Sequence, residues 1–170
     1  SGDFEIAMSY YLRSLKMRER LYSPPNVELS TIYQNIGVLY RKLGEFKTAL
    51  NYYNKALEID KALFGENHEN VAQLYNNLAT VSMDMGESKL SIKYHERALR
   101  IFKNLFDDNH YFIAMSLFNH ANVLNKIGEF PKALSLYKQA LKIDIESSGD
   151  SSIYVGDDLL AIGFCYQKWQ

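Results

Sequence analysis

Cysteine, proline and tryptophan are scarce in this sequence, and neither sign of charge predominates. The one cysteine, Cys165, has no partner for an internal disulfide, which fits a cytosolic or nuclear setting, with cytoplasmic the expectation. Only three prolines interrupt the chain, two of them adjacent at Pro24-Pro25, so long windows are left free for helix. Nineteen Lys and Arg stand against twenty Asp and Glu. A net charge of −1 argues against a surface dedicated to nucleic acid or anionic membrane, because both need concentrated positive charge. No apolar run is long enough to cross a bilayer, and no secretory signal opens the chain. Neither a Ser/His/Asp spacing nor a Gly-rich phosphate loop nor a clustered ligand set is present. The expectation is therefore a protein that is not an enzyme and holds no metal or cofactor.

What is abundant is apolar residues, 47% of the total, enough to bury a core. They recur with helical spacing. In "FKTALNYYNKALEIDKAL" the positions Phe46, Ala49, Leu50, Tyr53, Ala56, Leu57 and Asp60 follow intervals of three and four. Strand-like alternation is missing, so the fold class is all-α.

A self-comparison shifted by 42 residues aligns the whole chain. Gly2, Gly44, Gly86 and Gly128 form one column, followed by Asp3, Glu45, Glu87 and Glu129. Small residues recur at Ala7, Ala49, Ser91 and Ala133, and at Ser14, Ala56, Ala98 and Ala140. Leu15, Leu57, Leu99 and Leu141 never vary. This is the pattern of helix, tight turn, helix: glycine where the backbone needs positive φ, small residues where helices approach closely. One such hairpin cannot bury both faces alone, whereas stacked hairpins can.

Tyr33, Ile36, Gly37, Tyr40, Ala49, Tyr53 and Ala56, continued by Tyr75, Leu78, Ala79 and Ala98, resemble the tetratricopeptide (TPR) signature. The usual TPR period is about 34 residues; here the second helix runs on, through "LEIDKALFGENHENVA" and "LRIFKNLFDDNHYFIA". This longer unit resembles the repeats of kinesin light chain and nephrocystin-type proteins. The resemblance implies a right-handed α-solenoid of antiparallel helix pairs. Residues 1–170 then read as a single array. Its parts are a second-type (B) helix at 3–22, pairs at about 28–64, 69–106 and 111–147, and a lone first-type (A) helix at 153–169.

The resemblance also implies a function: a scaffold that holds a peptide or partner protein in the groove lined by the A helices. The expected binding residues are Gln34, Asn35 and Val38, then Gln73, Asn76, Asn77 and Thr80, then Met115, Phe118, Asn119 and Asn122. Asn35, Asn77 and Asn119, one period apart, form a ladder of carboxamides, each able to donate to and accept from a peptide main chain. The alternative is that each asparagine caps or bridges helices. The positions matching a chaperone-tail carboxylate clamp are Gln34, Val38, Asn77, Met115 and Asn119. Only one fits, and none carries the positive charge that a carboxylate requires. Toward its other end the groove becomes apolar, with Met83, Leu160 and Phe164.

Other readings place a cargo adaptor of the kinesin light chain type, or a self-assembling unit. For the last, Leu159, Ile162, Tyr166 and Trp169 would meet a helix that follows, and Ile6, Ala7, Tyr10, Tyr11, Ser14 and Leu15 one that precedes. Head-to-tail self-association through Tyr166, Trp169 and the 3–22 helix is the expectation, with a two-fold dimer of the terminal helix against its own copy as the rival. His68 and His110 are expected to cap helix entries, and His95 and His120 to meet as a buried polar pair.

Overall fold

The structure, a computed structural model, describes residues 2–21 and 25–169, with side chains from Phe4 onward. The expected helix end at Tyr22, the Pro24 position and the Asp3 side chain lie outside the described residues. Among the described residues there are eight helices and no strand. They are α1 (Gly2–Leu21), α2 (Val27–Lys42), α3 (Phe46–Phe64), α4 (Glu69–Asp84), α5 (Ser88–Leu105), α6 (Tyr111–Lys126), α7 (Phe130–Ser148) and α8 (Ile153–Trp169). Each packs on the helix before and after it, and α6 also touches α4 and α8. The tightest pairs are α2–α3, α4–α5 and α6–α7, which is the layout of a solenoid.

The turn inside each pair is set by its Gly-Glu step. At Gly44, φ is +79°, its N–H donates to Arg41 O at 3.0 Å, and Glu45 N–H donates to Tyr40 O at 2.9 Å. Those two bonds satisfy carbonyls that the ending helix would leave unpaired, the Schellman arrangement. Gly86 and Gly128 repeat it with φ of +82° and +84°. Between pairs, the helix entries are capped by side chains. Asn26 Oδ1 accepts from Glu28 N, His68 Nδ1 from Asn70 N and His110 Nδ1 from Phe112 N. Each histidine ring also stacks on the phenylalanine ending the preceding helix region, Phe64 or Phe106. Both loop histidines thus hold helix starts, as their spacing suggests.

The small-residue columns lie at the centre of the stack: Ala49, Ala56, Ala98, Ala133 and Ala140 are fully buried, and so is Ser91. Most of the core forms one continuous cluster from Leu15 to Ile143. A second, around Ala121, Leu134, Tyr137 and Cys165, seats α8.

The two end helices differ in part from the expected faces. On α1, Leu15 is buried and Tyr11 packs on the main cluster, so both belong to the contact already made with the stack. Ile6 and Tyr10 are exposed as expected, and Met17 and Leu21 extend the exposed apolar surface. On α8, Ile162 packs against the second cluster while Leu159, Tyr166 and Trp169 stay exposed. Leu159 is 55% exposed, whereas Leu117, its counterpart one period earlier, is 2% exposed under its own second helix.

Candidate functional site

The A helices α4, α6 and α8 place their side chains around a chain of hollows. The first, about 320 Å³, lies between α4 and α6 and is walled by Gln73, Asn76, Asn77, Thr80, Tyr111, Phe112, Met115 and Asn119. Toward the C-terminal ends of these helices a hollow of about 180 Å³ adds Met83, Asp84, His95, Asn122 and Lys126. Between α6 and α8 lies a hollow of about 440 Å³ with Phe118, Asn122, Asn125, Tyr137, Leu160 and Phe164 in its wall. Eight of the eleven expected binding residues therefore stand along one surface. Gln34, Asn35 and Val38, on α2, are no part of these hollows. They are half-buried, and Val38 packs on the core. At that end, Arg41 Nε donates to Asp84 Oδ2 at 2.6 Å and ties α2 to α4.

The asparagines divide by role. Asn77 and Asn119 are half-buried in the wall of one hollow. Among the described residues, no hydrogen bond engages the carboxamide of either, nor that of Asn35. Asn76, the neighbour of Asn77 in sequence, corrects the expectation of a ligand-facing amide. It is 6% exposed, donates to Ser116 Oγ at 3.1 Å and faces His95 Nδ1 at 3.0 Å through its oxygen. Its carboxamide is thus taken up in joining α4, α5 and α6. Because the oxygen can only accept, the contact holds His95 as the Nδ1–H tautomer. Burial, together with neighbouring His120, pulls the His95 pKa down to about 4. The two imidazoles stack at 6.2 Å, so the polar pair that their columns suggest does form, with His95 buried and His120 half-buried. At Asn122, Oδ1 accepts from Tyr137 Oη at 2.7 Å, and burial pushes the Tyr137 hydroxyl up to about 12.

A further cavity, about 170 Å³, opens among α6, α7 and α8. Tyr111, Met115, Phe118 and Tyr154 form its apolar walls, and Asp144, Asp157 and Asp158 supply its polar atoms. Asp158 is pushed up to about 7 by burial, with the adjacent Asp144 carboxyl and then Asp157 adding to the effect. Burial also raises Asp144, and its hydrogen bond with Asp158 opposes that rise. Sequence reasoning passed over these acids. The signal was in the columns: Asp158 occupies a position filled by Ile32, Leu74 and Ser116 in the earlier A helices. Another hollow, about 520 Å³ and larger than those above, lies between α3 and α5. Lys61, Arg97 and Arg100 line it, with Glu66 paired to Lys61 at 2.8 Å.

The tetratricopeptide repeat family matches residues 1–62 and 70–146, so the chain belongs to that family. Its fold is similar to that of BtubC (BKLC) from P. vanneervenii, with a TM-score of 0.85 and 24% identity over 98% of this chain and 66% of that one. A kinesin light chain candidate of Podosopora anserina with nearly identical TPR-like repeats superposes at 0.83, with 14% identity over 98% of this chain and 78% of the other. The apo form of RapI also superposes at 0.83, with 19% identity over 97% and 57%. The chain thus spans just under two thirds of BtubC and a little over half of RapI. No curated protein matches at a significant level. Among the described residues, no helix is long and apolar enough to cross a membrane.

Proposed function

We propose that residues 1–170 act as one array, a non-catalytic module that binds a peptide or partner segment along the hollows between α4, α6 and α8. The observation that carries this reading is the pair Asn77 and Asn119. They lie one period apart in the wall of a single hollow, with amides that no hydrogen bond among the described residues engages. Two such amides can grip the main chain of an extended ligand whatever its side chains are. Met115 and Phe118 beside them offer apolar anchoring. The likeness to kinesin light chain repeats lies in the fold, and cargo binding is the special case of this reading that the likeness suggests. The test is a peptide-array screen followed by titration of the best binder. Asn77→Ala/Asn119→Ala is expected to weaken that binder by about 1–2 kcal/mol while leaving the thermal unfolding midpoint nearly unchanged. Equal affinity for both proteins would overturn the reading.

The contrast between Leu159 and Leu117 supports a second reading, end-to-end association. The exposed face of α8 is the one that a B helix covers in the complete pairs, and Tyr10 and Met17 of α1 occupy B-helix columns otherwise packed on an A helix. A neighbour's α1 fits that face in a head-to-tail contact that need not close. Sedimentation of the 170-residue chain is expected to show mass rising with concentration, and Tyr166→Glu/Trp169→Glu to abolish the rise. A strict monomer at high concentration would exclude it.

A further inference from the structure

The cavity among α6, α7 and α8 has a chemistry that main-chain binding does not use. Asp144 is 5% exposed and Asp158 1%, yet Asp144 Oδ1 and Asp158 Oδ2 have no hydrogen-bond partner among the described residues. Both acids line the cavity. Buried carboxylate oxygens left this way are costly and call for an explanation. The two carboxyls act on each other's ionisation, with Asp158 the one favoured to hold a proton. Asp157 stands exposed beside them, and no basic side chain lines the cavity.

Asp60, one of the other buried acids, provides a contrast. It has both oxygens unpartnered too, but it lies within the core on α3 and lines none of the hollows described above. Burial raises its pKa, against the opposing effects of Ser30 and His68. The Asp144–Asp158 pair opens instead onto a space somewhat above the ~150 Å³ that admits a benzene-sized group.

The remaining walls decide which cation fits. Hard divalent ions take six or more oxygen ligands, whereas this cavity is mostly aromatic and aliphatic. Among the described residues, no group of three His, Cys, Asp or Glu could hold a metal ion. A long side chain with an apolar stem and a cationic head matches both halves of the wall. The rings of Tyr111 and Tyr154, 5.2 Å apart, add faces that attract a cation. The cavity shares Tyr111 and Met115 with the hollow of Asn77 and Asn119, so a ligand lying there reaches it without a break.

We propose that this cavity receives a lysine or arginine side chain of the bound peptide, its stem against Met115 and Phe118 and its charged head at Asp144 and Asp158. The identity of the ligand as a peptide rests on the groove reading; the preference for a cation does not. Two adjacent carboxyls cannot both ionise unaided, so the entering cation displaces the proton that Asp158 holds. Tyr111 on α6, Asp144 on α7, and Tyr154 and Asp157 on α8 are the titratable groups that share the cavity with Asp158, and Tyr137 on α7 is near enough to feel its charge. Binding therefore releases a proton and tightens as pH rises toward 7, by up to about tenfold per unit below it, and levels off above.

N-acetyl-arginine methylamide and its uncharged counterpart N-acetyl-norleucine methylamide, titrated into the ¹⁵N-labelled 170-residue chain at pH 6 and pH 8, provide the test. The arginine probe is expected to shift amide signals at Tyr111, Met115, Asp144 and Asp158, more tightly at pH 8, and the norleucine probe to leave them in place. Asp158→Asn and Asp144→Asn should each weaken the arginine probe at least tenfold, with folding verified by the retained dispersion of the remaining signals. Equal response to both probes, or full affinity in both variants, would overturn the proposal. Array peptides that bind through Asn77 and Asn119 without preference for Lys or Arg would sink it while the groove reading stands. A cation-selective cavity in a chain that binds no array peptide would sink the groove reading instead.

Discussion

Replacing Tyr53 by alanine is expected to destabilise the chain by about 3–5 kcal/mol, the range for emptying a buried aromatic site. Tyr53 is 1% exposed on α3, and its ring lies flat over Gly37 of α2. The fit is tight: a Cβ added at Gly37 would come within 2.9 Å of Tyr53 Cε1. Aromatic ring and bare backbone therefore belong to one contact, and either change alone damages it. Gly37→Ala should cost about 1–3 kcal/mol by overpacking. Combined with Tyr53→Ala it should cost less than the sum, because the cavity left by the ring accommodates the new methyl. Urea denaturation of the two single variants and the double variant measures the cycle. A Tyr53→Ala loss below about 1 kcal/mol, or strict additivity, would show that the ring and the glycine do not share one space.

Asp158→Asn should have the opposite sign and a strong dependence on pH. In the folded chain Asp158 is held near 7 against an ordinary 3.8, by burial first and by Asp144 and Asp157 after it. Between those values the folded state keeps a proton that the unfolded state gives up. Stability contributed by this group is thus fully present at low pH and is lost as pH rises through 7. An asparagine carries no charge to desolvate, so it escapes that loss. The stability of Asp158→Asn relative to the unmodified chain is expected to be about 2–4 kcal/mol greater at pH 8 than at pH 4. His95, depressed to about 4 by burial and His120, works the other way, since folding loses stability as pH falls below 6.5. Both proteins carry that histidine, so it cancels in their difference. Parallel thermal melts of the two proteins across this range make the comparison. A difference independent of pH would mean that Asp158 is ionised in the fold at all these values.

The repeat was legible in the sequence because its determinants are local. A Gly-Glu step every 42 residues gives a positive-φ turn whatever the helices later pack against, and Gly44, Gly86 and Gly128 all adopt it. Helical spacing of apolar residues marks the buried stripe even where one member is charged, as with Asp60. His68 and His110 act on amides two residues away, so their capping role too follows from their position before a helix. Tertiary structure alone decided what depends on the rotation of one helix against another. Asn76 and Asn77 are adjacent and chemically identical, yet about 100° of helical turn sends one into a contact with Ser116 and His95 and leaves the other in the groove wall. The same rotation set which side of α1 stays exposed. It also brought Asp144 and Asp158 together from two helices across a turn. Spacing along one helix specifies which residues share a face; it does not specify what stands opposite that face.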